Sequence, residues 1–233
     1  MTEKLFITRK RKLWKFAHFD EWPNCFQADQ VSPSFWKKYF SGDKPLVVEI
    51  GAGTADLSVE MARRHPNKNF VAVDVKSDRL YTGAKVALNE PINNIAFVRA
   101  QLRDMSKLFG PGSIDELWIT FPDPFPRDRQ AKHRLTHPSF LAQYQKLLRP
   151  GGVVKFKTDN RELFLYSLEQ LVAEKWQMHE LSFDLHESDL PADYKITTHF
   201  ERKFLAQNIP INLVTTSKTY EATSRNTPVR PVS

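Results

Sequence analysis

Residues 46–58 read Leu46-Val47-Val48-Glu49-Ile50-Gly51-Ala52-Gly53-Thr54-Ala55-Asp56-Leu57-Ser58. Five mostly apolar, β-branched residues form a buried strand, and the glycine pair lets the backbone turn sharply and come close to a ligand. A helix across Ala55 to Arg64 follows, with Leu57, Met61 and Ala62 on one face, and its first amides point into the same crevice. About twenty residues on, Asp74 ends a second strand, Phe70 to Val73, where a carboxylate can accept hydrogen bonds from both hydroxyls of a ribose. Gly-x-Gly is common in loops and an acid after a strand is usually a solvated turn residue; it is the pairing of the two that points to a nucleotide-like ligand.

Outward from this corner, the stretch from Pro45 to about Ala206 alternates short apolar runs with segments of helical spacing, the pattern of an α/β domain. Helices are expected at Arg79 to Leu88, Ser139 to Leu148 and Arg161 to Lys175. Strands are expected at Ile95 to Val98, Ile114 to Phe121, Val153 to Thr158, Ser182 to Leu185 and Phe200 to Leu205. The ends differ from the middle. Residues 1–44 read as a basic, aromatic-rich arm and covering segment that includes the run Thr8 to Lys15, and residues 209–233 read as a polar, flexible tail. Trp14, Phe16, Phe19, Trp22, Phe26, Phe35 and Trp36 are expected to cover the sheet rather than stack on bases.

The 233 residues carry a formal charge of +7 and a pI near 9.4, which favours a polyanionic partner. No stretch has the roughly twenty apolar residues of a spanning helix, and Met1 to Trp14 lacks the apolar segment of a signal peptide, so a cytoplasmic protein is expected. Cys25 is the only cysteine; it allows no internal disulfide and no thiolate cluster, and reads as a small apolar residue. His133 and His137 stand four apart but next to Pro138, and no metal site is expected.

Two features separate possible cofactors. Asp56 takes the place of a third fingerprint glycine, and a negative charge there opposes a pyrophosphate; Glu49, beside the turn, suits an ammonium or sulfonium ligand. The stretch Phe121-Pro122-Asp123-Pro124-Phe125-Pro126-Arg127-Asp128-Arg129-Gln130-Ala131-Lys132-His133-Arg134 begins where a strand ends and is stiffened by three prolines. Such a loop can hold Asp123 and Phe125 over a cofactor, beside a basic surface suited to a polyanion.

The Pro-Asp-Pro-aromatic loop followed by alternating basic residues resembles the signature of the tRNA (guanine-N7)-methyltransferase family. The match runs from Pro45 to Leu205 and includes Asp159 in Lys157-Thr158-Asp159 and the run Thr198-His199-Phe200-Glu201. The resemblance implies a class I methyltransferase fold: a Rossmann-like, doubly wound, mostly parallel seven-stranded sheet with helices on both faces, spanning 45–208. It implies methyl transfer from S-adenosylmethionine to N7 of a variable-loop guanine in tRNA, without a metal. It places the cofactor on Glu49, Gly51, Gly53, Asp74, Gln101 and Asp123, with Asp123 as the catalytic acid. It places the substrate on Arg127, Asp159, Thr198, His199, Phe200 and Glu201. Arg129, Lys132 and Arg134 are expected to contact the RNA. A monomer or homodimer with no obligate second subunit is expected.

The sequence departs from the family at Phe125, usually Trp, at Arg127, usually Lys, and at Gln130, usually His. Guanine N7 has an in-plane lone pair, so its attack needs no prior deprotonation; alignment and tolerance of the arriving positive charge are what the protein must supply. Asp159 or Glu201 is expected to accept hydrogen bonds from guanine N1–H and its amine. The alternatives are a dinucleotide-dependent oxidoreductase, favoured by Gly51, Gly53 and Asp74; an RNA-binding homologue without catalysis; and an amino-group methyltransferase, whose Asp-Pro-Pro-aromatic loop the Asp123 loop partly matches.

Overall fold

The computed structural model describes residues 12–218. Half of the basic run, Thr8 to Arg11, and residues 219–233 lie outside it. Among the described residues one sheet holds eight strands in the order β1-β4-β3-β2-β5-β6-β8-β7. They are β1 (Cys25–Gln27), β2 (Leu46–Ile50), β3 (Asn69–Asp74), β4 (Ile95–Arg99), β5 (Ile114–Thr120), β6 (Leu148–Thr158), β7 (Trp176–Ser182) and β8 (Asn212–Lys218). The helices include α1 (Phe35–Tyr39), α2 (Asp56–Arg64), α3 (Ser77–Asn89), α4 (Met105–Leu108), α5 (Pro138–Leu147), α6 (Arg161–Ala173) and α7 (His199–Leu205).

Strand periodicity divides the core into two layers. Val48, Ile50, Val71, Val73, Leu117 and Ile119 face one side, with Leu141 and Tyr144 of α5 and Leu163 and Phe164 of α6. Val47, Phe70, Ala72 and Trp118 face the other, with Leu57 and Met61 of α2 and Leu80 and Ala84 of α3. Helices therefore cover both faces, and the doubly wound reading holds. Pairing is parallel from β1 through β6 and antiparallel where β8 joins β6 and β7. Strand β2 pairs with β3 on one side and β5 on the other. The order of the sheet reverses at β2, so the turns leaving β2 and β5 open a crevice at the carboxyl ends of the strands.

Four expectations need correction. The sheet has eight strands, not seven, because Cys25, Phe26 and Gln27 pair in parallel with Phe97, Val98 and Arg99; the N-terminal segment thus contributes to the sheet. Residues 212–218, assigned to a tail, form β8 between β6 and β7. Buried donors on it find partners: Thr215 Oγ1 donates to Glu180 (2.9 Å), Thr216 Oγ1 to the Gln177 carbonyl (2.8 Å) and Asn212 Nδ2 to the Thr158 carbonyl (3.0 Å). The stretch from Phe200 to Leu205 is helical, not a strand; Thr198 accepts from the Glu201 amide and the Glu201 side chain from the Thr198 amide, a capping box that starts α7. The strand expected at Ser182 to Leu185 lies earlier, as β7.

Of the N-terminal aromatics, Phe19 and Trp36 are buried while Trp14 and Phe16 are exposed. Cys25 is buried in β1, and burial pushes its thiol well above the usual range. No helix among the described residues is long and apolar enough to cross a membrane.

Candidate active site

The corner after β2 is built by backbone geometry. Gly51 has φ +68° and Gly53 φ +56°, and a Cβ on Gly53 would meet nothing within 4 Å, so conformation and not crowding favours glycine there. Asp74, at the end of β3, fixes the turn: its Oδ2 accepts from the Gly53 amide (2.8 Å) and its Oδ1 from the Lys76 amide (2.8 Å). A carboxylate has about four lone-pair sites, which leaves two for a ribose diol.

A cleft of about 270 Å³ opens at the β2/β5 crevice, and its walls include Gly51, Asp74, Gln101, Phe121, Asp123 and Phe125. The glycine corner, Asp74 and the proline-loop acid therefore face one space. Lys76, Arg79, Arg103 and His133 also line it; sequence reasoning missed them, although Lys76 and Arg79 stand within five residues of Asp74. Gly53 contributes its amide to Asp74.

Glu49 sits deeper than the other corner residues. Its carboxylate lies beneath the corner and not on the cleft wall, 2% exposed, with Oε2 accepting from Ser58 Oγ (2.6 Å) and Oε1 from Thr120 Oγ1 (2.6 Å). It ties the start of α2 to the end of β5. Burial raises its pKa from the ordinary 4.5 to about 7, against those hydrogen bonds. A carboxyl whose pKa is higher folded than unfolded binds more protons in the folded state between the two values. Its stabilising contribution is complete below the unfolded value and is lost as pH rises through about 7. Glu49→Gln, which cannot ionise, is expected to gain stability relative to the parent across that window, approaching roughly 3 kcal/mol above it. Urea unfolding at a series of pH values measures this; parallel stability curves would rule it out.

Asp56 stands apart from the cleft as well. It accepts from the His199 amide (2.6 Å) and from Thr54 Oγ1 (2.9 Å), and so docks the start of α7 on the glycine corner.

The proline loop is held in an uncommon shape, with Phe121 at φ +46° and Phe125 at φ +44°, a region that costs most side chains energy. Its brace is Arg134. The guanidinium donates to the carbonyls of Pro124 (3.2 Å) and Phe125 (3.0 Å) and lies 4.3 Å from the centre of the Tyr166 ring. Two of its nitrogens are thus engaged with the loop. Arg127, Arg129 and Lys132 are exposed, and none pairs with a carboxylate among the described residues. Arg134→Ala is expected to lower kcat about tenfold without changing the salt dependence of RNA binding, whereas Arg129→Ala and Lys132→Ala each flatten the slope by about one unit. Filter binding from low to high salt reads both, and a flatter slope in Arg134→Ala would return that residue to the RNA surface.

Asp159 follows β6, half-buried, and its side chain bonds to no other residue among those described; desolvation raises its pKa. Thr198 and Glu201 are buried in the cap of α7, while His199 and Phe200 are exposed. Phe200 is flanked by Arg79 at 5.8 Å and Lys203 at 5.5 Å. Neither Arg127, Asp159 nor the Thr198–Glu201 run lines the cleft itself. His137 caps α5 and His133 packs on Phe125 (5.5 Å). No group of three metal-ligating side chains occurs among the described residues.

A family model described as "Putative methyltransferase" matches residues 43–213. The tRNA (guanine-N(7)-)-methyltransferase of Cytophaga hutchinsonii is 37% identical over 210 residues, covering 87% of this chain and 95% of that protein. The chain belongs to the tRNA (guanine-N7)-methyltransferase family. Another member, the enzyme of that name from Brevibacillus brevis, is 38% identical over 188 residues, covering 81% of this chain and 87% of its own. The family boundary at 213 takes in the start of β8, in keeping with that strand's place in the sheet. Among solved structures, the 16S rRNA methyltransferase KamB superposes with a TM-score of 0.62 at 15% identity, over 81% of this chain and 95% of its own. The 16S rRNA (adenine(1408)-N(1))-methyltransferase of Catenulisporales acidiphilia gives 0.58 at 18% identity, over 82% and 94%. These two share the fold.

Proposed function

We propose that this member of the tRNA (guanine-N7)-methyltransferase family transfers the methyl group of S-adenosylmethionine to N7 of a guanine in tRNA. The observation that carries the reading is the shared cleft: Gly51, Asp74 and Asp123 line one space at the point where the strand order reverses. S-adenosylmethionine supplies an electrophilic methyl group on a positively charged sulfur. The chain's residues fit it: Asp74 keeps lone pairs for the ribose, the glycine corner leaves room for close backbone approach, and Asp123 offers a carboxylate to a cationic ligand.

In the reaction the N7–carbon bond forms as the sulfur–carbon bond breaks, and the positive charge moves from sulfur to the purine. No proton has to leave N7 first, so no general base is required. The residues instead hold the line of attack and compensate the charge. Asp159, a carboxylate just past a strand end that bonds to no other residue among those described, is suited to accept from guanine N1–H and the amine, which distinguishes guanine from adenine. Arg127, Arg129 and Lys132 hold phosphates, so affinity for tRNA falls with salt.

The decisive experiment incubates the protein with S-adenosylmethionine and bulk tRNA, digests the RNA and identifies the product nucleoside. N7-methylguanosine is expected; a methyladenosine, or no methylated product, would sink the proposal. Asp159→Asn is expected to lower tRNA methylation about 30-fold, the worth of a charge-assisted hydrogen bond in a desolvated site, while cofactor affinity stays within threefold. Equal losses in the two measurements would remove Asp159 from the substrate side.

A further inference from the structure

Lys157 is a lysine in the interior of a sheet. Its side chain is 0% exposed, and so is that of Glu201, whose Oε1 lies 2.7 Å from Lys157 Nζ. An ammonium has three N–H donors, and all three have partners, because Nζ also donates to the carbonyls of Tyr194 (2.8 Å) and Ile196 (3.0 Å). Burial lowers the Lys157 pKa, and the Glu201 carboxylate opposes that shift. The Glu201 carboxylate is equally committed: His186 Nε2 lies 2.8 Å from Oε1, and Oε2 accepts from the Thr198 amide (3.2 Å).

The main chain of the same lysine reaches the other half of the site. The Phe121 amide donates to the Lys157 carbonyl (2.8 Å), and the Phe121 ring stacks on Phe204 of α7 (5.8 Å). Asp159 follows two residues later, just past the end of the same strand. One residue thus touches the turn that carries Asp123, the segment from Tyr194 to Glu201, and the strand end that carries Asp159.

We propose that Lys157 is the positioning residue that registers the Tyr194–Glu201 segment against the Phe121–Asp123 turn, and that Glu201 serves the reaction through Lys157 and not by touching the guanine. A fully buried carboxylate with both oxygens engaged is not open to a base. The structural expense of keeping an ion pair where apolar groups would pack is explained if it fixes geometry. Methyl transfer needs in-line alignment, and a displacement of about 1 Å can cost on the order of 100-fold in rate. The proposal rests on the tRNA methylation reading above.

The test is a double-mutant cycle in the full chain: Lys157→Met, Glu201→Gln and the two together, with tRNA kcat, S-adenosylmethionine Kd by titration, and thermal unfolding measured on each. Lys157→Met is expected to lower kcat at least about 30-fold with cofactor Kd within threefold of the parent, and the double variant to be no slower than Lys157→Met. Losses that multiply in the double variant would show Glu201 acting independently and overturn the proposal, as would a Kd that rises as far as kcat falls. Lys157→Met alone strands a buried carboxylate and is prone to unfold; the double variant leaves no unpaired buried charge there and decides the matter in that event. A folded double variant with near-parental kcat overturns the proposal. A parent chain that methylates no tRNA overturns the functional reading and this proposal with it, whereas an active parent with independent losses overturns this proposal alone.

Discussion

Asp123→Asn is expected to reduce tRNA methylation by about 100-fold or more while the chain folds as the parent does. The residue is exposed at the cleft, so the exchange opens no cavity and strands no buried partner; what it removes is one negative charge. That charge faces the space in which a positive charge travels from sulfur to purine, and removing one well-placed electrostatic group costs about 2.7–4 kcal/mol once bound substrates exclude water. The effect depends on the carboxylate being held and not merely present. Two left-handed phenylalanines flank it, Phe121 and Phe125. They are kept in place by the Lys157 carbonyl on one side and the Arg134 guanidinium on the other. Single-turnover rates with both substrates saturating measure the loss. A residual rate above about one-fifth of the parent would reduce Asp123 to a bystander.

The corner after β2 is legible because its signals are local: an apolar run, two glycines, and an acid one strand later. That these face Asp123 across one cleft follows from the parallel order of the sheet, which alternation of strands and helices already implies. What is illegible has one physical cause, buried polar groups satisfied by distant partners. β8 carries Thr215, Thr216 and Asn212, which read as a solvated tail until Glu180, Gln177 and Thr158 are seen to bond them. Arg134 reads as one more cation in a basic run, yet its partners are the carbonyls of the loop it follows. Glu201 reads as an acid awaiting a base because its lysine lies 44 positions earlier. Two signals were available in the sequence and went unused. Thr198-x-x-Glu201 is the pattern of a helix start, which argued against a strand at Phe200 to Leu205. Lys155 and Lys157 alternate within the apolar strand Val153 to Thr158, and a lysine in a buried strand implies a buried partner.

Asp74→Ala is expected to weaken S-adenosylmethionine binding by about 100-fold and to destabilise the fold by about 3 kcal/mol, two effects with separate origins. The first is the loss of hydrogen bonds from a ribose diol to a charged acceptor, each worth about 1.5–3 kcal/mol. The second comes from the protein's own backbone: the buried Gly53 amide loses its acceptor, and the Lys76 amide, on an exposed residue, is released to water. An orphaned buried donor costs about 1–3 kcal/mol, and the two together weaken the hold on a glycine turn that has no side chains to shape it. Asp74→Asn separates the origins. Its amide keeps one acceptor oxygen, so one backbone bond survives while an N–H is turned toward the other amide or the ribose. Stability should then fall by less than in Asp74→Ala, while cofactor affinity falls nearly as far. Calorimetric titration and thermal unfolding on the two variants read the split. Cofactor affinity that tracks stability in both variants would confine Asp74 to holding the turn and leave the ribose to another residue.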